Sequence, residues 1–209
     1  MALPAGFVYL EDIDPSIIQE MKYSTIHNFM GRPIQGYDNS KCILTRDAAN
    51  ALMKLQKELL AQSLSLKVFD CYRPQAAVND IINWSQDGHD QKMKMSYYPN
   101  VNKKDFFDLG YLAKRSGHTR GSTVDVTIVH LLSGDPGKAR EMNMGTHFDF
   151  MDELSYTFNT HVTGQSRQNR LFLREAMQQS GFDPYDQEWW HFTLAHEPYP
   201  DTYFNFPVK

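Results

Sequence analysis

The most regular hydrophobic pattern in the chain is an apolar stripe with helical spacing. Four residues recur every three or four positions: Ala48, Leu52, Leu55 and Leu59. This is the spacing of one buried face of an α-helix. Thr45 precedes the stripe and is a good N-cap, and Asp47 places a negative charge in the first turn, where the helix dipole favours it. We predict a helix from Thr45 to about Gln62.

Two longer segments show the alternation of half-buried strands. Leu64 to Tyr72 alternates apolar and polar residues, and Thr123 to Val129 is rich in β-branched side chains. After the first strand, Pro74 suits the first position of a helix from Gln75 to Trp84. Arg73 therefore lies at a strand-to-helix corner, where side chains tend to project into a cleft.

Shorter patterns complete the secondary-structure prediction. They indicate a strand at Gly6–Leu10, helices at Asp14–Met21, Asn102–Leu109 and Ser166–Ser180, a turn cluster at Ser133–Lys138 leading to a hairpin partner at Glu141–Met144, and a last strand at Glu188–Leu194. Helices and strands alternate irregularly, without an internal repeat. We therefore expect an α+β fold, with an antiparallel or mixed sheet flanked by helices.

Length and charge narrow the class of protein. A chain of 209 residues with 41% hydrophobic content can bury one sizeable core, so we expect a single domain over residues 1–209. The net charge is -4 and the Lys and Arg residues are scattered, which argues against a nucleic-acid partner.

The sequence also indicates whether the protein associates with a membrane and whether its cysteines are oxidised. No apolar run is long enough to span a bilayer, and the first residues lack a basic segment of the signal-peptide type. We expect no membrane partner and a cytoplasmic protein, with a mature periplasmic form as the alternative. Cys42 and Cys71 lack the paired spacing of a thiolate metal site, and we expect both to be free thiols.

The candidate chemistry begins in Ser116–Asp125, a turn that runs into a strand. His118 lies between two glycines on the turn and Asp125 lies on the strand, and both side chains suit zinc. His191 could complete a set of three ligands, with Glu188 within reach of a metal-activated water. A lone histidine in an aromatic strand is more often a packed or surface residue, so the pattern leaves both interpretations open.

Three other residues could belong to the same site. A guanidinium fixed at the Arg73 corner could stabilise a tetrahedral intermediate, with Asp70 holding it, although a surface ion pair is the commoner role of arginine. Tyr23 opens an irregular segment that extends to Tyr37, and it could either face the site or simply pack.

Together these motifs resemble the zinc-dependent D-alanyl-D-alanine dipeptidases, a family related to the D,D-carboxypeptidases and to Hedgehog-like domains. The resemblance spans nearly the whole chain through five segments: Asp70–Pro74, Ser116–Asp125, Met144–Glu153, Glu188–His191 and the tail from Glu197 to Pro207. The family often has a second serine where this chain has Gly117.

The resemblance implies one zinc ion per chain and a division of roles. The implied zinc ligands are His118, Asp125 and His191, with Glu188 as general base and Arg73 stabilising the oxyanion. The expected substrate-binding residues are Asp149, which would hold the free amine, and Tyr23, Ser116 and Asp70. His147 lies outside the family's ligand positions, and we expect it on the surface.

The implied reaction is hydrolysis of the small dipeptide D-alanyl-D-alanine. Two alternatives share the metal ligands. A D,D-carboxypeptidase or endopeptidase acting on peptidoglycan stems would need an open cleft, and a non-catalytic zinc module would not need Glu188 and Arg73 together.

Overall fold

The computed structural model describes residues 3–132 and 136–209. The strands of the described ranges are β1 (Phe7–Tyr9), β2 (Ile18–Gln19), β3 (Ile43–Thr45), β4 (Leu64–Asp70), β5 (Thr123–Leu131), β6 (Ala139–Glu141), β7 (Phe182–Pro184) and β8 (His191–Leu194). The α-helices there are α1 (Leu10–Ile13), α2 (Arg46–Leu60), α3 (Gln75–Gln86), α4 (Lys94–Tyr97) and α5 (Gly164–Gln179). Short 3-10 turns connect several of these elements.

A mixed sheet forms the centre of the fold. Its strands lie in the order β2, β4, β5, β8, β7, and β6 also pairs with β5. The β2–β4 pair is parallel and the other pairs are antiparallel. The predicted α+β class with a mixed sheet and flanking helices is confirmed.

The long predicted elements form for the reasons that the sequence indicated. Thr45 caps α2 by accepting a hydrogen bond from the backbone N–H of Ala48, and the predicted apolar stripe is buried. In the sheet, β4 and β5 pair along most of their length, with a register shift between Val68 and Asp70. The shift sets Asp70 opposite Asp125, so two acidic side chains meet at this end of the sheet.

Three shorter predictions need correction. The predicted helix at Asp14–Met21 is wrong, because Ile18–Gln19 forms an edge strand beside β4 and the local helix is α1. The predicted helix at Asn102–Leu109 contains only a 3-10 turn at Lys103–Asp105, and α5 begins at Gly164. The hairpin partner β6 is observed earlier than predicted, and residues 133–135 of the predicted turn lie outside the described residues.

Cys42 and Cys71 form a disulfide, so the prediction of free thiols is wrong. The bridge joins the residue before β3 to the residue after β4, and the backbone N–H of Tyr72 donates to Ile43 O beside it at 2.9 Å. The two cysteines are 29 positions apart in sequence. Their proximity arises only from tertiary packing, which spacing alone does not show.

The C-terminal segment 204–208 packs across the base of the fold. Tyr72 exchanges two hydrogen bonds with Phe206, and the two rings stack at 4.0 Å. Phe204 accepts from Gln75 and donates to Thr119. The segment therefore fastens the corner at 72–75 to the turn that carries His118.

One hydrophobic core lies on both sides of the sheet and includes the inner face of α2. In the described part of the chain, no helix has the length and apolar content that a membrane crossing requires.

Candidate active site

Three side chains converge near the start of β5. His118 lies in the 3-10 turn Gly117–Arg120, Asp125 on β5, and His191 at the start of β8, directly across from Asp125. Asp125 Oδ1 is 3.2 Å from His118 Nε2 and 3.2 Å from His191 Nδ1, and the two nitrogens are 3.3 Å apart. Within residues 3–132 and 136–209, this is the cluster of His, Cys, Asp and Glu side chains with metal-binding geometry.

These distances fit a small tetrahedral metal ion. Bonds of about 2.0 to 2.1 Å at tetrahedral angles separate the ligand atoms by about 3.3 Å. Asp125 Oδ1 is also buried without a hydrogen bond. Such an oxygen is costly unless a cation satisfies it. The nitrogen and oxygen ligands suit zinc, and three of them leave one position open for water or substrate.

The backbone fixes the orientation of His118. Its Nδ1 lies 2.7 Å from Cys71 O, so this nitrogen carries the proton and donates to the carbonyl. The lone pair of Nε2 then faces Asp125, as a metal ligand requires. The carbonyl belongs to a disulfide-bonded cysteine, which connects the bridge to the ligand set.

The guanidinium of Arg73 is held in place by the carboxylate of Asp70. Its Nε and Nη2 both lie 2.9 Å from Asp70 Oδ2, and its Cζ lies 4.9 Å from the centre of the Tyr23 ring. Burial lowers the pKa of Arg73, but Tyr23 and Asp70 raise it more, so the guanidinium stays charged. Asp70 is fully buried, accepts a hydrogen bond from Tyr37, and lies beneath Arg73 rather than on the cavity wall.

Glu188 reaches the ligand cluster because it precedes β8. The predicted strand from Glu188 in fact begins at His191, and a tight turn brings the N–H of His191 to Glu188 O at 3.2 Å. Both side chains can therefore face the same side, which a strand would forbid. Glu188 Oε2 lies 3.5 Å from His191 Nδ1. Burial raises the pKa of Glu188 to about 7.

Asp149 and Tyr23 form another part of the cavity wall. The Tyr23 hydroxyl donates to Asp149 Oδ2 at 3.0 Å, and both residues are buried. Burial, followed by the negative charge of Asp125, raises the pKa of Asp149 well above its usual range. No Lys, Arg or His of the described ranges forms an ion pair with Asp149. The carboxyl group thus lacks a cation of its own.

A cavity of about 310 Å³ joins these groups. It is lined by all the predicted site residues except Asp70: Tyr23, Arg73, Ser116, His118, Asp125, Asp149, Glu188 and His191. Ser116 caps the turn by accepting from the N–H of His118 at 3.3 Å. A Cβ at Gly117 would meet Thr123 Oγ1 at 2.8 Å, so the family's second serine would force a local shift here.

The predicted surface position of His147 is confirmed, and its ring nitrogens lie 2.7 and 2.8 Å from the carbonyls of Phe148 and Ser96. Sequence reasoning missed the aromatic part of the cavity wall, formed by Tyr111, Tyr185 and Trp190. The density of aromatic residues around Glu188 was the available signal.

Comparison with known proteins gives a consistent set of relatives. A family model described as D-ala-D-ala dipeptidase matches residues 4–209. The D-alanyl-D-alanine dipeptidase of Enterococcus faecium is 39% identical over 204 residues, covering 98% of both chains. That of Streptomyces coelicolor is 39% identical over 206 residues, with 99% and 100% coverage, and that of Escherichia coli is 32% identical over 187 residues, with 90% and 83% coverage.

Among solved structures, the vancomycin resistance D,D-pentapeptidase VanY in complex with Zn(II) covers 78% of each chain at a TM-score of 0.42 and 15% identity. That likeness is too distant to bear on the site.

Proposed function

The chain belongs to the D-ala-D-ala dipeptidase family of peptidases, and on this premise we propose that it hydrolyses D-alanyl-D-alanine to two D-alanines with one zinc ion, as a single domain over residues 1–209. The observation that carries the proposal is the arrangement of the cavity. It is lined both by a metal-ligand set with Glu188 beside it and by the buried carboxyl group of Asp149, which forms no ion pair within the described residues.

His118, Asp125 and His191 would hold the zinc. When bound, zinc supplies a Lewis acid that polarises the scissile carbonyl and acidifies water. Glu188 accepts the proton of the attacking water and passes it to the leaving amine. Its pKa of about 7 suits both steps, since a group that gains and loses a proton near neutral pH serves as base and then as acid.

Arg73 would stabilise the negative charge that develops on the carbonyl oxygen. Its guanidinium is largely enclosed, charged and oriented by Asp70 and the Tyr23 ring before substrate arrives. Donors that are already in place need no rearrangement as the charge forms, and this is where electrostatic catalysis has its largest effect. Asp70 acts through Arg73 in this proposal.

Asp149 would bind the free ammonium group of the dipeptide. The ligand brings the positive charge that the buried carboxyl group lacks, while Tyr23 orients the carboxyl group and Ser116 hydrogen-bonds the peptide near the turn. A substrate with an acylated amine would leave this group buried and unpaired. The same feature favours a dipeptidase over a carboxypeptidase or endopeptidase.

The expected partner is the small dipeptide substrate. The cavity volume of about 310 Å³ lies at the small end of the range for ligand sites, about 300 to 1,000 Å³. A cytoplasmic location stays a prediction, and the Cys42–Cys71 bridge is of a kind that persists in oxidising compartments.

The test is a comparison of substrates on the purified, zinc-loaded protein. Release of alanine of either configuration is measured from D-Ala-D-Ala, from N-acetyl-D-Ala-D-Ala and from a stem pentapeptide ending in D-Ala-D-Ala, with L-Ala-L-Ala as the stereochemical control. We expect rapid release from the first substrate alone. Comparable rates on the free and acetylated dipeptides would reject the dipeptidase function in favour of a carboxypeptidase, and a fully zinc-loaded protein inactive on all of them would overturn both.

A further inference from the structure

Arg170, on α5, is buried and forms no ion pair with any carboxylate of the described residues. Its side chain is only 1% exposed and is among the largest fully buried side chains of the described residues. Its guanidinium donates to Met144 O at 2.5 Å, Tyr156 O at 2.8 Å and Thr146 Oγ1 at 3.3 Å, all of them neutral acceptors. Burial lowers its pKa to about 10, so it remains charged at neutral pH.

The three acceptors lie near the two ends of one segment, 144–156, which we call the Asp149 loop. Met144 and Thr146 stand near its start and Tyr156 at its end, so one side chain fastens both ends. A planar guanidinium offers several donors in a fixed arrangement, which an ammonium group cannot reproduce. Arg170 therefore connects both ends of the Asp149 loop to α5.

Asp149 lies in the middle of the loop in a strained conformation. Its φ is +60°, a left-handed value that residues other than glycine adopt at a cost. Such a conformation persists only where the surrounding structure enforces it. Arg170 contacts both ends of the loop, and Phe148, next to Asp149, stacks on Phe69 at 4.7 Å.

The same network of hydrogen bonds extends to Trp189. Thr146 Oγ1 also accepts from Trp189 Nε1 at 2.9 Å, and the N–H of Trp189 donates to Ser155 O at 3.1 Å. Trp189 follows Glu188 directly. Arg170 and Thr146 thereby join the Asp149 loop to the segment that carries the proposed base.

We propose that Arg170 is a positioning residue for amine recognition: it holds the Asp149 loop so that the Asp149 carboxylate meets the substrate's ammonium group. The proposal rests on the proposed function, because Asp149 has this role only in a dipeptidase. A loosened loop would place the carboxylate less well and weaken binding of the free amine. His118 and Asp125 lie on other elements and His191 is held by its pairing with Asp125, so the zinc ligands would keep their geometry.

The test measures substrate selectivity in Arg170→Lys. The ratio of kcat/KM for D-Ala-D-Ala to that for N-acetyl-D-Ala-D-Ala should fall about tenfold or more, mainly through a higher KM for the free dipeptide, with zinc content unchanged. The matched control is Leu173→Ala, a cavity-forming change on the same helix that should lower the melting temperature and leave the ratio unchanged. If Arg170→Lys slows both substrates equally, its role is structural only and the proposal is overturned.

A second variant decides the matter if Arg170→Lys does not fold. Thr146→Val keeps the shape of the side chain and removes the hydroxyl that receives both Arg170 and Trp189. It should lower the same ratio severalfold, and an unchanged ratio would overturn the proposal. If the wild type itself does not discriminate between the substrates, the proposed function fails and this inference falls with it. A discriminating wild type with unaltered variants contradicts the role of Arg170 alone.

Discussion

Two parts of the cavity wall are built in different ways. The sheet wall, formed by His118, Asp125 and His191, is fixed by paired strands and by the turn that leads into β5. The loop wall, formed by Tyr23 and Asp149, comes from a short 3-10 turn, Lys22–Ser24, and from an irregular segment in which Asp149 has positive φ. In the sheet wall the imidazole rings face a carboxylate, whereas in the loop wall the carboxyl group has no cation of its own.

We therefore expect the sheet wall to determine whether hydrolysis occurs and the loop wall to determine which substrate is hydrolysed. Metal ligands need placement to within a fraction of an ångström, which paired strands provide better than loops. A carboxyl group that pairs with the charge of a ligand can instead be held in place by contacts within and around its own loop. Changes in the sheet wall should therefore abolish turnover of any substrate, and changes in the loop wall should alter which substrate is used.

The largest effect is expected from His118→Ala in the sheet wall. Removal of one of three ligands should abolish zinc binding and reduce hydrolysis of D-Ala-D-Ala to the background rate, as should chelation of the wild type. Metal analysis after gel filtration provides the measurement. His147→Ala is the control, since this exposed histidine lies outside the cluster. Full zinc occupancy in His118→Ala would refute the ligand assignment.

Glu188→Gln should separate chemistry from metal binding. The variant keeps the shape of the side chain and the three ligands, so zinc content should be unchanged while kcat falls by about 10² to 10⁴-fold, the usual contribution of a general base. Glu153→Gln, at an exposed position, is the matched control. Near-normal turnover in a folded, zinc-loaded Glu188→Gln protein would exclude Glu188 as the base.

Asp149→Asn should act on the loop wall alone. Breaking a buried ion pair from one side costs about 3 to 5 kcal/mol, so kcat/KM for D-Ala-D-Ala should fall by about 10² to 5 × 10³-fold. The rate on the acetylated dipeptide should change little, and zinc should stay bound. An equal loss on both substrates would show that Asp149 supports the fold and does not select the amine.

Loss of the Cys42–Cys71 bridge should have the smallest effect on chemistry and a clear one on stability. A disulfide closing a loop of about 30 residues contributes about 3 to 4 kcal/mol through the unfolded state. Protein refolded in reductant should therefore melt about 6 to 16 °C lower. Zinc affinity should fall less than about tenfold, because the hydrogen bond between Tyr72 and Ile43 still holds the carbonyl that orients His118. Equal melting temperatures would contradict this role for the bridge.

Much of the sheet wall could be predicted from sequence, because its residues are local to patterned segments. His118 stands in a turn between glycines, and Asp125 follows on a strand with clear alternation. The placement of Glu188 beside His191 conflicted with strand geometry, and the observed turn explains it. The roles assigned to these residues stay predictions until they are tested.

The loop wall and its supports depend on contacts between segments that are distant in sequence. Arg170 stands in a polar helix, where a solvent-facing side chain is the usual expectation, and its acceptors lie 14 to 26 positions away. Ile18–Gln19 became a strand because an edge of β4 was free to pair, which overrides the local helix signal of Pro15. The disulfide could not be predicted from the sequence for the same reason, because only tertiary packing brings its sulfur atoms together.

The position of segment 204–208 has a consequence for biosynthesis. This segment fastens the turn of His118 and the corner of Arg73, yet a ribosome delivers it after every other part of the site. The nascent chain can therefore expose β4, β5 and the His191 strand before the contacts of residues 204–208 can form. Those contacts, which connect the corner at 72–75 to the turn of His118, are made only after residues 204–208 have left the ribosomal tunnel.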